Sequence, residues 1–194
     1  MDETTHVLIV EDEPDLAGLY ASWLAGRHTV ETAHSGEEAI EAIDDEIDVV
    51  LLDRMMPELS GDDVLEVIRE RGLDCRVAMV TAVEPDFDIV GMGFDDYLVK
   101  PVSEEELHAI IDGLVLRSTY DDQLQEFFSL ASKKALLEEG KSDVELRASR
   151  EYARLEDRLA VVRTAVEGTV EELLEQGVCD RLCRDVTRET IERE

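Results

Sequence analysis

The chain has 194 residues, room for one medium-sized domain and a smaller companion. Its 49 acidic residues against 19 basic ones leave a formal charge of −30, which disfavours both a bare nucleic-acid clamp and a polybasic membrane-surface protein, since each needs clustered cations. No apolar run approaches the roughly 18 residues of a membrane span, and the N-terminal MDETTHVLIVEDE lacks the features of a secretory signal, so a cytoplasmic location is expected.

Hydrophobic residues make up 44% and aromatic ones 5%, which points to a core built from aliphatic side chains. Only Lys100, Lys133, Lys134 and Lys141 are lysine; the remaining fifteen cations are arginine. An acidic, lysine-poor surface suits concentrated salt, where charges are screened within about 3 Å and self-repulsion fades. Cys75, Cys179 and Cys183 are an odd set with no histidine nearby to complete a zinc site, so they read as small buried or half-buried side chains.

Strand and helix signals alternate through the first 117 residues. His6 to Val10 is a short apolar strand that runs into Glu11, Asp12 and Glu13. A helical pattern follows, with Leu16, Leu19, Tyr20, Trp23 and Leu24 on one face. Thr29 to Ala33 suits a second strand, and Ser35 with Glu38 three residues on suits a capping box. Asp48 to Asp53 is a continuous apolar run closed by a carboxylate, as expected of a strand covered on both faces of a parallel sheet. Ser60 opens a helix carrying Val64, Leu65, Val67 and Ile68. Arg76 to Thr81 and Asp96 to Val99 are the fourth and fifth strands, and Ser103 with Glu106 caps a helix through Leu116. Between Thr81 and Asp96 stand Pro85, Gly91 and Gly93, so any helix there is short. The expected fold is α/β: a five-stranded parallel, doubly wound, flavodoxin-like sheet over residues 1–117.

Strand signals end near residue 118. Tyr120, Leu124, Phe127, Phe128, Ala131 and Ala135 mark one helical face ending near Gly140. Ser142 with Glu145 caps the next helix, expected over residues 143–176. Along it Tyr152, Leu155, Leu159, Val162, Val166, Thr169 and Leu173 alternate spacings of three and four, a heptad seam. The short turn between the two helices implies an antiparallel α-helical hairpin over residues 118–194. Leu182 and Val186 suggest a further frayed helix. Seven cations stand against thirty acids in residues 1–117, and twelve against nineteen in 118–194, so most of the negative charge lies on the first domain.

The polar exceptions fall at the carboxyl ends of the strands: Glu11 and Asp12 after the first, Asp53 after the third, Thr81 at the end of the fourth, Lys100 after the fifth. Open α/β sheets place their sites there. Converging carboxylates repel unless a cation joins them, and oxygen ligands select a hard ion such as magnesium. A lysine and a threonine hydroxyl on the same rim can neutralise and hydrogen-bond a phosphoryl group. The cluster reads as built to place a phosphoryl group on a carboxylate. A flavin site is disfavoured because Glu-Asp-Glu-Pro-Asp after the first strand would repel phosphate. A haloacid-dehalogenase-like phosphatase would want an acid two residues after Asp53, where Met55 stands.

Glu11-Asp12, the run LLDRMMP around Asp53, Thr81-Ala82 and DYLVKP at residues 96–101 resemble the receiver domain of two-component response regulators. The resemblance implies that Asp53 accepts a phosphoryl group from a sensor histidine kinase. It implies magnesium held by Glu11, Asp12, Asp53 and the backbone carbonyl of Met55, with Lys100 contacting the phosphate. It also implies a cis bond between Lys100 and Pro101 and a switch made of Thr81 and Tyr97. Such a domain is a phosphoacceptor with slow self-dephosphorylation rather than an enzyme. The covalent step is attack by a carboxylate on phosphorus, assisted by the metal.

Residues 118–194 are similar to the HalX-type helical domain that follows receivers in haloarchaeal proteins. Their output role stays open between two readings. One is a hairpin that binds an unknown downstream protein or a second copy of the chain. The other is a transcriptional regulator that binds DNA through its arginines. Arg147, Arg150, Arg154, Arg158 and Arg163 are interleaved with Glu151, Glu156 and Asp157, a pattern typical of a solvated, salt-bridged face, so DNA is the less favoured partner.

Overall fold

The computed structural model describes residues 4–175. The chain divides into two compact units, residues 1–115 and 116–194.

The first unit is organised by five parallel strands: β1 (His6–Val10), β2 (Thr29–Ala33), β3 (Val49–Leu52), β4 (Arg76–Thr81) and β5 (Asp96–Val99), in the order β2-β1-β3-β4-β5. β1 and β3 are adjacent, with Val7 opposite Val49 and Val10 opposite Leu52. All four β3 residues are buried, which is why its sequence is unbroken Val-Val-Leu-Leu. Helices α1 (Pro14–Leu24), α2 (Gly36–Ala42) and α3 (Gly61–Arg71) connect the strands and divide the core in two. One layer packs Leu8, Val50, Leu52, Val64, Ile68, Val77 and Met79 between the sheet and α2 and α3. The other packs Val7, Ile9, Leu51, Ala78 and Val80 against α1 and the start of α4 (Glu104–Gly140), through Leu107, Ile110, Ile111 and Leu114. The α/β fold expected from the alternating signals is the fold observed.

Local details differ in instructive ways. Ser35 accepts the N–H of Glu38 at 3.2 Å, but the Glu38 carboxylate turns to the N–H of His34 instead of closing a box on Ser35. Ser60 and Asp63 form a full capping box at the start of α3. Leu19 is 44% exposed, because Ala17, Tyr20 and Leu24 already fill the buried face of α1. The segment between β4 and β5 holds a single 3₁₀ turn, Phe87–Gly91, with Phe87 and Val90 facing solvent. Arg69 secures the far end of that segment, donating to the carbonyls of Gly93 and Cys75 and to the Asp95 carboxylate.

Two helical boundaries depart from the sequence pattern. The helix expected to stop at Leu116 runs on without interruption as α4 (Glu104–Gly140), so the change of period near residue 118 marks a change of packing face and no break. The single helix expected over 143–176 is instead α5 (Asp143–Ala148) and α6 (Arg150–Glu175), parted at Ser149, whose backbone is extended. The Ser149 hydroxyl accepts the N–H of Tyr152 at 3.1 Å and so caps the second piece.

Within the second unit α4 and α6 run antiparallel. Glu138 accepts from the Tyr152 hydroxyl (2.8 Å), Lys134 pairs with Glu156 (2.7 Å), Arg163 lies over the Phe127 ring (5.9 Å), and Thr169 donates to Gln123 (2.9 Å). All seven heptad positions from Tyr152 to Leu173 are buried or half-buried. Phe128 and Ala135 lie outside that seam and are exposed. Cys179, Cys183 and the helix suggested by Leu182 and Val186 lie outside the described residues.

Candidate functional site

β1 and β3 are neighbours and end in register, which delivers Glu11 and Asp12 beside Asp53. One carboxylate oxygen from each of the three lies within 4.8 Å of the others. Among the described residues no other trio of His, Cys, Asp and Glu side chains meets so closely. Glu11 and Asp53 are 2% and 6% exposed, whereas Asp12 is half-buried at the mouth.

Lys100 enters from the end of β5. Its Nζ donates to Glu11 Oε2 at 2.6 Å and to Asp53 Oδ2 at 2.5 Å. The strand brings it there because the Lys100 N–H donates to the Thr81 carbonyl at 2.8 Å, extending the β4–β5 ladder by one step. The Lys100–Pro101 peptide is cis. Burial pushes the Glu11 carboxyl above the ordinary glutamate value even though Lys100 pulls it down. Burial also works against the Lys100 ammonium, but its hydrogen bonds to Asp53 and Glu11 outweigh that and hold it above the ordinary lysine value.

Asp53 is oriented from both sides. Lys100 holds one carboxylate oxygen and the N–H of Met55 donates to the other at 3.0 Å. The Met55 side chain is 66% exposed, so it is this residue's backbone that faces the site. Thr81 is fully buried at the end of β4, with its hydroxyl accepting the N–H of Val83 at 3.4 Å. The half-buried Tyr97, opposite Met79 on β5, donates its hydroxyl to the Val83 carbonyl at 2.8 Å and packs beside Phe94. Thr81 and Tyr97 thus meet at one loop residue, Val83.

The structure therefore gathers Glu11, Asp12, Asp53 and Lys100 into one cluster and places Thr81, Met55 and Tyr97 around it. Three supports carried no sequence signal. Gly61 stands where a Cβ would run into the Asp53 carbonyl oxygen, and its N–H donates to Arg54. Arg54 forms a two-pronged bond with Asp62 across the same turn. The His34 ring nitrogen lies 3.2 Å from the Glu11 carbonyl. Glycine at a helix start is common, so only the folded approach to Asp53 reveals why this one is required.

A trio of carboxylates with a buried member and a lysine counter-ion fits a hard divalent cation such as magnesium, whose preferred ligands are oxygens. The same cluster suits a phosphoryl group, because Lys100 can follow an incoming anion while keeping one carboxylate partner. No helix among the described residues is long and apolar enough to cross a membrane.

Residues 7–112 match the response regulator receiver domain and residues 116–181 match the HalX domain. A Haloferax volcanii protein bearing the name "Putative transcriptional regulator" is 49% identical over 191 residues, 96% of this chain and 33% of that protein. The Staphylococcus aureus response regulator SaeR is 36% identical over 117 residues, covering 58% of this chain and 51% of its own. The chain thus spans about a third and about half of the lengths of these relatives. Among solved structures, TrrA of Thermotoga maritima in complex with Mg²⁺ and beryllium fluoride is 30% identical, with a TM-score of 0.51, covering 57% of this chain and 99% of that one. The BeF₃-activated DrrB receiver domain is 25% identical, with a TM-score of 0.54 over 58% of this chain and 98% of that one. The chain belongs to the response regulator receiver family, and its receiver domain is followed by a HalX domain.

Proposed function

We propose that this chain works in a two-component phosphorelay: Asp53 takes a phosphoryl group from a sensor histidine kinase, and the change of charge switches the helices that follow. The observation that carries the reading is the double hold on Asp53, with Lys100 on one oxygen and the Met55 N–H on the other, beside Glu11 and Asp12. That hold leaves the carboxylate oriented and backed by a lysine. In the proposed transfer a carboxylate oxygen of Asp53 bonds to phosphorus while the bond from phosphorus to the kinase histidine breaks, and the imidazole leaves with that electron pair. Glu11, Asp12, Asp53 and the Met55 backbone carbonyl are the residues that would hold Mg²⁺, which when bound supplies charge stabilisation to the transferring group. Lys100 would turn from Asp53 to a phosphoryl oxygen, and the Thr81 hydroxyl would leave Val83 for another. Tyr97, bonded to the same Val83, would then change its rotamer and report the event.

In this reading residues 1–117 are the receiver and 118–194 the output and interaction domain, in the cytoplasm of a salt-adapted cell. The preferred output is protein binding, to a downstream partner or a second copy of the hairpin. The second reading, DNA binding by a phosphorylation-controlled transcriptional regulator, is favoured by the name of the Haloferax relative and by the exposed Arg147, Arg150 and Arg154. It is weakened by Arg158 and Arg163, which are committed to Glu126 and to the Phe127 ring. Salt-dependent retention on nonspecific DNA separates the two, because only the DNA reading requires it.

Incubation with acetyl phosphate and magnesium tests the phosphoacceptor. One phosphoryl group per chain is expected on the unmodified protein and none on Asp53→Asn. Equal labelling of that variant would remove Asp53 from the reading.

A further inference from the structure

A second cluster of ionisable groups lies away from the carboxylate site, where the corner between α1 and β2 packs against the start of α4. After α1 the N–H groups of Arg27 and His28 both donate to the Leu24 carbonyl at 3.0 Å, a tight turn that delivers His28 to this corner. Glu104, His108 and Asp112 recur at every fourth position of α4 and so line one stripe of it. The two imidazoles face each other with ring centroids 5.8 Å apart. Arg27 bonds both oxygens of Asp112 at 3.1 and 3.2 Å beside them. Glu104 Oε1 lies 4.0 Å from His108 Nε2, too far for a hydrogen bond.

Both ring nitrogens of His28 and Nδ1 of His108 are buried without a hydrogen-bond partner among the described residues. A neutral imidazole tolerates that; an imidazolium, with two charged donors to satisfy, does not. The charged groups around His28 do not rescue it. Arg27 and a charged His108 would repel a second cation, and the nearest carboxylate, Asp112, is already taken by Arg27. Glu104 lies beside His108, and the charged groups acting on His28 are Arg27, His108 and Asp112.

We propose that the His28–His108 pair is an acid-sensitive latch: neutral, it lets the first turns of α4 seat on the α1–β2 corner, and protonated, it loosens that seat. The element affected is not incidental. Leu107, Ile110, Ile111 and Leu114 of the same helix fill one layer of the receiver core, and α4 is the element that continues from the first unit into the second. Burial is the main force that lowers the affinity of His28 for a proton, with Arg27 and His108 acting in the same direction. The folded chain therefore resists a proton that the unfolded chain accepts near pH 6.5. The stability tied to His28 is present in full above that pH and is withdrawn as the pH falls from it toward the lowered value. Salt screens the Arg27 repulsion but not burial, so the latch persists in the concentrated salt that suits the acidic surface.

The test uses the full chain at pH 7.5 and pH 5.5, in low salt and in concentrated KCl. On acidification the thermal midpoint of the unmodified protein should fall relative to that of His28→Phe by roughly 2–4 °C in both salts, because phenylalanine keeps the ring and cannot take a proton. His28→Gln serves if the phenylalanine variant fails to fold. Proton titration of the four histidines by NMR gives an independent reading on the unmodified protein, and His28 should protonate below the ordinary range. A His28 that titrates at the ordinary value, a midpoint difference that does not change with pH, or one that vanishes in concentrated KCl overturns the latch. Each of these readouts is independent of Asp53 phosphorylation.

Discussion

Lys100 gives two buried carboxylates a counter-ion of the chain's own, at 2.6 Å from Glu11 and 2.5 Å from Asp53. Removing one partner of a buried ion pair costs about 3–5 kcal/mol, because the other charge stays behind unpaired. Lys100→Met should therefore lower the thermal midpoint sharply in chelator. Added magnesium should restore more stability to this variant than it gives the unmodified protein, since the cation takes over the lysine's electrostatic role. Equal magnesium-induced shifts in the two proteins would show that lysine and metal do not share one cluster. Glu11→Gln probes the opposite balance. The dominant effect on Glu11 is burial, which penalises its charge, so the neutral isostere should raise stability in chelator while weakening magnesium binding by at least about tenfold. A titration by calorimetry checks the second half. At this scale the order of acidic, hydroxyl and basic residues at strand ends was legible in the sequence. The Gly61 contact and the His34 contact with the Glu11 carbonyl were not, because they depend on how a loop folds back over a strand end.

The same site bears on how long a phosphoryl group would stay. Hydrolysis of an aspartyl phosphate needs a water lined up opposite the leaving oxygen, and side chains beside the site can orient it. In receivers the residues two after the phosphoacceptor and two after the switch threonine border that path. Here they are Met55 and Val83, neither able to orient a nucleophile. Met55 projects into solvent and Val83 is held by the Tyr97 hydroxyl on its carbonyl. A long-lived phosphorylated state is the expected result. The double variant Met55→Asn, Val83→Glu should shed the phosphoryl group faster, and an unchanged rate would show that these side chains do not govern water access.

Among the elements, the strands and their order were the most legible, since a buried parallel strand must be continuously apolar and Val49–Leu52 is. Ser60 and Ser142 mark helix starts in the sequence, and a capping box closes at each, whereas the box expected at Ser35 stays half-formed. The break at Ser149 leaves no box signature in the sequence because its third residue on is Tyr152, which cannot close one, although the serine hydroxyl still caps. The union of two expected helices in α4 is hidden for a different reason. The residues flanking position 118 contain no proline, and the only glycine between Glu104 and Glu139 is the buried Gly113, so nothing stops the helix where its packing face changes. The hairpin seam offers a direct test. Leu159 is a half-buried seam residue between Tyr152 and Val162, which are both buried. Leu159→Asp should lower helical content and the unfolding midpoint of the second unit, while Asp53 labelling by acetyl phosphate continues. Loss of labelling in that variant would show that the seam supports the receiver as well.

At the scale of the whole chain, α4 poses the question of how far the two units depend on each other, because one helix belongs to both. Leu107, Ile110, Ile111 and Leu114 of α4 are buried in the receiver core with the half-buried Val115 packed against them, and further along the same helix Gln123 accepts from Thr169 of α6. A chain cut after residue 117 retains every buried residue of the receiver, the whole carboxylate cluster and the His28–His108 contact. It should fold, bind magnesium and accept a phosphoryl group at one equivalent per chain. Self-association is a different matter. The segment between β4 and β5, which in many receivers carries a helix used for pairing, is here a single 3₁₀ turn that ends at Gly91 and is flanked by Pro85 and Gly93, too short to present an ordered helical face. Pairing of the full chain should therefore require residues 118–194. Light scattering with and without beryllium fluoride, in concentrated KCl, decides between the alternatives. A truncated chain that stays monomeric while the full chain pairs places the contact on the HalX hairpin, whereas a truncated chain that pairs on activation would assign it to the receiver, with Phe87 and Val90 the first side chains to mutate.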